Sequence, residues 1–395
     1  MLNQVRSNIS VIATSVLPED SHGIPQMVWY QGGVGTGIGL WDRLFGAATG
    51  EDVKRNVRDA YMFLVDNWID GAEIYLFGWS RGAYTARIVS GLISEVGLLR
   101  KTGIEYFGPM FDAFFDPTRP TRDAVPESQF HKVSVECVGL WETVGSLGIP
   151  DSQVLGIKVP LLDRFLEWWN NLEWYRFEHC ALPATSKIGL QAYSPHDYFS
   201  LIDRFGIDEY LRFLSPTLWY TSQSSANILK QVWFAGIHCS IAGGYAPHAF
   251  GDISLLWMIS EVATLTNLEF DIDFIIQRLT ENKAQATIWG AIPEPPYPLL
   301  ADWLAYHFGP RLKRTPGKYP HPDGSVTNEF YHHSVEERIA ASKGGYPAGK
   351  TVVKQLSKLP FTKMEAELAI KSGMATPAQI QTYWEIEISK KFVDS

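Results

Sequence analysis

The chain has 395 residues, 46% hydrophobic and 19% charged, enough to bury a large core and unlike a disordered segment. A formal net charge of −9 without any Lys/Arg block argues against a nucleic-acid footprint and against adsorption to anionic membrane by charge alone. The opening Met1-Leu2-Asn3-Gln4-Val5-Arg6 lacks a signal-peptide core, no apolar run reaches transmembrane length, and the three cysteines (Cys137, Cys180, Cys239) form no CxxC pair, so the expectation is a soluble cytoplasmic protein without a disulfide framework.

Ser7-Asn8 caps a helix expected over 9–17, which Pro18 ends. Gln26 to Tyr30 reads as a strand running into Gly32-Gly33-Val34-Gly35-Thr36-Gly37. That loop has neither the Gly-Lys-Ser/Thr of a P-loop nor dinucleotide spacing, so it reads as an active-site loop, with Gly33, Gly35 and Thr36 in it, and no cofactor is expected. Val53, Val57, Ala60, Tyr61, Leu64 and Trp68 predict an amphipathic helix over 51–69.

Ala72 to Phe77 is a short apolar run, the pattern of a strand buried on both faces of a parallel sheet. It ends in Gly78-Trp79-Ser80-Arg81-Gly82, and a helical pattern through Ala83, Ala86, Ile88, Val89, Leu92 and Ile93 follows at once. Gly-x-Ser-x-Gly between strand and helix is a nucleophile elbow. The turn strains the serine and exposes its Oγ, Gly78 and Gly82 let strand and helix approach, and the helix N-terminus directs N–H groups at developing oxyanion charge. The bland alternative is an incidental tight turn.

A polar stretch at about 101–130 reads as an insertion. Lys132 to Leu140 is a second buried-strand run, and Trp141-Glu142-Thr143 lies at its end, where open α/β sheets place their sites. A second insertion spans about 151–225. Its aromatic stretch, Leu161 to Phe177, fits either a lid or acyl-binding wall, or a helix docked on the sheet. Gln231 to Ile237 is a third apolar run, followed by His238, a loop carrying Gly243 and Gly244, and a helix over 250–265. The expected domain is thus 1–265, an α/β-hydrolase-like unit with a mostly parallel sheet flanked by helices. Residues 266–395 read as a helical and loop extension packed on it, with a loop at 314–325 and capping boxes at Thr362/Glu365 and Thr376/Gln379.

A serine needs a base within hydrogen-bond reach and an acid to orient that base, in the chain order Ser, acid, His. His238 follows a buried strand and opens a glycine-rich loop, so it reads as the general base. Glu142 reads as the acid, with Asp151, Asp203 and Asp252 as fallbacks. The backbone N–H of Arg81 would donate to the oxyanion, and Thr143 would line the site. His179, His196, His248 and the pair His332-His333 read as surface or satisfied core, and no metal is expected.

Tyr75 through Arg87 resembles the signature of the DUF2235 α/β-hydrolases, the catalytic domain of type VI secretion phospholipase effectors. The blocks at 33–36, 139–145, 215–219 and 232–238 resemble further parts of that family, in family order, and the resemblance covers about 8–257. It implies a Ser80, Glu142, His238 triad cleaving a lipid or phospholipid acyl ester. The expected partners are that substrate and, in transient contact, a membrane, with no nucleic acid. Three departures stand beside it. The family acid is Asp where this chain has Glu142, and the family has Asp where this chain has Ser240. A first strand ending in Asp-Gly-Thr would precede the Ser7-Asn8-Ile9 block, so a central strand and a source of a second oxyanion donor are expected to be missing. These departures motivate the competing expectation of a catalytically impaired relative serving as a binding module.

Overall fold

The computed structural model describes residues 6–32, 50–116, 125–143, 186–193, 218–223, 225–236, 240–243, 248–280, 314, 316–318, 324–341, 347–377 and 380. Six parallel strands form one sheet: β1 (Ile74–Trp79), β2 (Val135–Trp141), β3 (Ser186–Tyr193), β4 (Ile228–Trp233), β5 (Glu329–Tyr331) and β6 (Ser357–Lys358), side by side in chain order. The register aligns Trp79 with Trp141, Trp141 with Ala192, and Ala192 with Val232. The carboxyl ends of four strands therefore stand in one row, and the residues just past β1 and β2 are neighbours.

Helices cover both faces. They are α1 (Asn8–Ser15), α2 (Gly50–Asn67), α3 (Arg81–Val96), α4 (Phe107–Phe114), α5 (Ala249–Leu265), α6 (Ile272–Thr280), α7 (Ser334–Ala341), α8 (Pro347–Gln355) and α9 (Lys363–Lys371). The two-residue side-chain period of β2 feeds two cores. Val138 and Leu140 pack with α2, α3 and α4, whereas Cys137 and Trp141 pack with α1, α5, α6 and α9. A third cluster joins Trp233 and Tyr331 to Val335 of α7 and Val352 of α8. The architecture is α/β. Among the described residues no helix is long and apolar enough to cross a membrane.

Several elements sit within a residue or two of the sequence reading, which is the usual uncertainty of helix and strand ends. Ser7 does cap α1, its Oγ accepting from the Ser10 N–H. Three segments differ. Gln26 to Tyr30 is in no strand, and Met27, Val28 and Tyr30 are exposed while Trp29 stacks on Phe63 at 6.0 Å. Strand β3 lies inside the span read as the second insertion and is central in the sheet. The region beyond 265 adds β5 and β6 to that same sheet. The polar and glycine-containing stretches around these three strands hide them, because their strand character comes from long-range pairing rather than from local pattern. The first insertion leaves and returns through a small antiparallel ribbon, Leu98–Leu99 against Phe130–His131.

Candidate active site

Strand β1 ends at Trp79 and α3 begins at Arg81, so Ser80 alone makes the turn between them. It does so at φ 55° and ψ −117°, a left-handed conformation that costs a non-glycine residue about 1–3 kcal/mol. The Ser80 N–H donates to the Trp141 carbonyl at 2.9 Å, and the Ser80 carbonyl accepts from the Tyr84 N–H at 3.1 Å. The turn is thus locked both to the neighbouring strand end and to the helix it starts.

Gly78 is required by this geometry. A Cβ there would lie 2.4 Å from the Gly82 carbonyl oxygen and 2.5 Å from the Ala83 nitrogen, both backbone atoms. Gly82 is not required in the same way, since a Cβ on it would meet nothing within 4 Å. The close approach expected of both glycines is carried by one, and Gly82 contributes its peptide to the contact rather than a missing side chain.

Glu142 stands one residue past β2, beside Ser80. It too has a positive φ, 46°, and it is fully buried, as is Thr143 after it. Two neighbouring strand ends therefore each close on a strained residue, an arrangement that clusters at functional sites. The Glu142 carboxylate accepts a bidentate pair of hydrogen bonds from Arg314, Nη1 to Oε1 and Nη2 to Oε2, both 2.8 Å. Both side chains are buried, at 6% and 0% exposure. Fork-on-fork geometry between planar ions is the strongest form of such a pair. Sequence reading placed Arg314 at the start of a loop and missed it, because no local spacing links a residue to a strand end 172 positions away.

Of the other expected site residues, Gly243 sits at φ 76° with a would-be Cβ 2.6 Å from Asn8 Oδ1, and Gly251 closes on it from α5. Its N–H donates to the Ser240 carbonyl at 3.2 Å. His238, Gly244, Gly33, Gly35 and Thr36 lie outside the described residues, as do the fallback acids Asp151 and Asp203 and the aromatic stretch 161–177. Asp252, the third fallback, accepts from His248 Nδ1 at 2.8 and 2.9 Å and lies 3.7 Å from Arg278 Nε, which engages it between α5 and α6. Cys137 is buried in β2, and desolvation, then the charges of Glu136 and Glu261, push its thiol up, so it is no thiolate nucleophile.

His332, His333 and Glu365 each offer one ligand atom within 4.8 Å of one another, a third partner that the sequence did not place. His332 Nδ1 lies 2.8 Å from the Ser334 hydroxyl and 3.3 Å from the Ser334 N–H, and its Nε2 faces Glu365 Oε1 at 2.8 Å. Thr362 caps α9 as its pattern predicts, accepting from the Glu365 N–H at 3.0 Å, while the Glu365 carboxylate goes to His332 rather than closing the capping box.

Residues 2–261 match the family described as "T6SS, Phospholipase effector Tle1-like, catalytic domain". The chain is also 28% identical over 160 residues to the uncharacterized protein YEL023C of Saccharomyces cerevisiae, a stretch covering 34% of this chain and 23% of the yeast protein. No solved structure matches.

Proposed function

Because the chain belongs to the family of Tle1-like phospholipase effector catalytic domains, a family of lipid hydrolases, we propose that it is a serine hydrolase of the α/β-hydrolase class that cleaves a carboxylic ester of a lipid. The observation that carries the reading is Ser80, held at φ 55° between β1 and α3 over a glycine that tolerates no side chain. In this reading Ser80 Oγ attacks the acyl carbonyl while His238 takes its proton. Glu142 orients the imidazole and stabilises the imidazolium, and the Arg81 N–H, at the first position of α3, donates to the tetrahedral oxyanion. His238 then protonates the leaving alcohol, and water repeats the sequence on the acyl-enzyme.

A fluorophosphonate probe tests the reading, since it needs only an activated serine. The full chain is expected to label, and Ser80→Ala to remain unlabelled. A second reading, a relative kept as a binding module, draws on the Glu142–Arg314 pair: a carboxylate neutralised by a buried guanidinium stabilises an imidazolium less well. A folded wild-type chain that does not label favours that second reading and ends the first.

A further inference from the structure

We propose that Arg314 is a positioning residue of this active site, clamping the Glu142 carboxylate in the orientation that holds the catalytic imidazole, so that a site built on β1 and β2 is completed from beyond the family's matched span. The inference rests on the triad reading above.

Glu142 sits at a strained φ with its carboxylate fully buried, one residue past the carbonyl that binds the Ser80 N–H. A glutamate has one more rotatable bond than an aspartate, and its carboxylate plane turns freely unless something fixes it. Arg314 supplies that constraint. Two parallel N–H···O bonds at 2.8 Å define both the position and the plane of the carboxylate, which a lysine, as a point charge, would not. Each carboxylate oxygen has a second lone pair, so an oxygen already accepting from Arg314 still has capacity for an imidazole N–H. The same pair gives the buried Glu142 charge a countercharge at the sheet's carboxyl end. Arg314 is 53 positions past residue 261, where the family match stops. The strand that follows it in the chain, β5, belongs to the same sheet as β2.

The test uses the full chain, the fluorophosphonate probe and a short-chain p-nitrophenyl ester. Arg314→Ala is expected to lose about 10- to 100-fold in labelling rate and in kcat with little change in KM, the range carried by outer partners of catalytic ligands. Millimolar methylguanidine, which fits the space vacated by the side chain, is expected to restore much of the loss. A purely structural role would lower the folded fraction seen by circular dichroism and leave the kcat of the folded fraction unchanged. If Arg314→Ala does not fold, Arg314→Lys keeps a cation over Glu142 and loses only the fork, and a smaller loss of the same kind is expected. Wild-type rates in either folded variant overturn the proposal while leaving the serine reading intact. A wild-type chain that does not label overturns the serine reading and the proposal with it.

Discussion

The Ser80 N–H donates to the carbonyl of Trp141 at 2.9 Å, so the strained turn at the end of β1 is tied to the peptide that precedes Glu142. Nucleophile and acid candidates are thereby positioned by one backbone hydrogen bond between adjacent parallel strands. Their spacing does not rest on loop packing.

Strain at Ser80 makes a stability prediction opposite in sign to its activity prediction. Ser80→Gly removes the side chain from φ 55° and is expected to raise the urea midpoint, equivalent to about 1 kcal/mol, while abolishing labelling. Ser80→Ala keeps the strain and is expected to abolish labelling without that gain. Equal midpoints for the glycine and alanine variants would remove the strain argument.

The two glycines of the elbow are expected to behave differently. Gly78→Ala drives a methyl into the backbone of Gly82 and Ala83, where no side-chain adjustment relieves it, and is expected to cost several kcal/mol and the labelling with it. Gly82→Ala meets open space and lies in the first turn of α3, so its melting temperature is expected to equal or exceed that of wild type. Circular dichroism melts of both variants check the contrast.

Removing one side of the Glu142–Arg314 pair takes away a buried countercharge held at 2.8 Å. Glu142→Ala is expected to destabilise the fold by about 3–5 kcal/mol. The neutral pair Glu142→Gln with Arg314→Met is expected to recover most of that loss, since neither residue then carries a buried charge. Urea unfolding of the wild type, Glu142→Gln, Arg314→Met and the double variant tests this, and an additive double variant would deny the coupling.

His333 gives the fold an acid-sensitive contribution. It packs 3.7 Å from the Phe361 ring, ring centroid to ring centroid, and burial, followed by the neighbouring His332 and Lys358, lowers its pKa well below the usual 6.5. Between that usual value and the depressed one, the unfolded chain binds a proton that the folded chain refuses. Stability is therefore full above about pH 6.5 and falls as the pH drops, by up to about 1.4 kcal/mol per unit. His333→Phe is expected to flatten that acid slope in urea midpoints measured from pH 7.5 to pH 5. An unchanged slope would assign the acid sensitivity elsewhere.

Local pattern made the elbow legible. An apolar run, Gly-x-Ser-x-Gly and an immediate helical period are all short-range signals, and β1, Ser80 and α3 lie where they point. The same holds for β2 with Glu142 at its end, for the cap of α1 and for α5, each set by neighbours within a few residues. Residues set by distant partners were not legible. Strand β3 and the pair β5 and β6 become strands by docking on neighbours far away in the chain, and Gln26 to Tyr30, strand-like by composition, pairs with none among the described residues. Gly82 matched its motif, yet only the packed turn showed that Gly78 alone lacks room for a side chain.

By itself, then, the sequence determined the α/β class, the tight turn at Ser80 and the strand end beside it, because steric and periodic rules act over a few residues. The tertiary structure decided what Glu142 faces. A carboxylate and a guanidinium 172 positions apart share no spacing rule, and only the packed chain brings them to 2.8 Å.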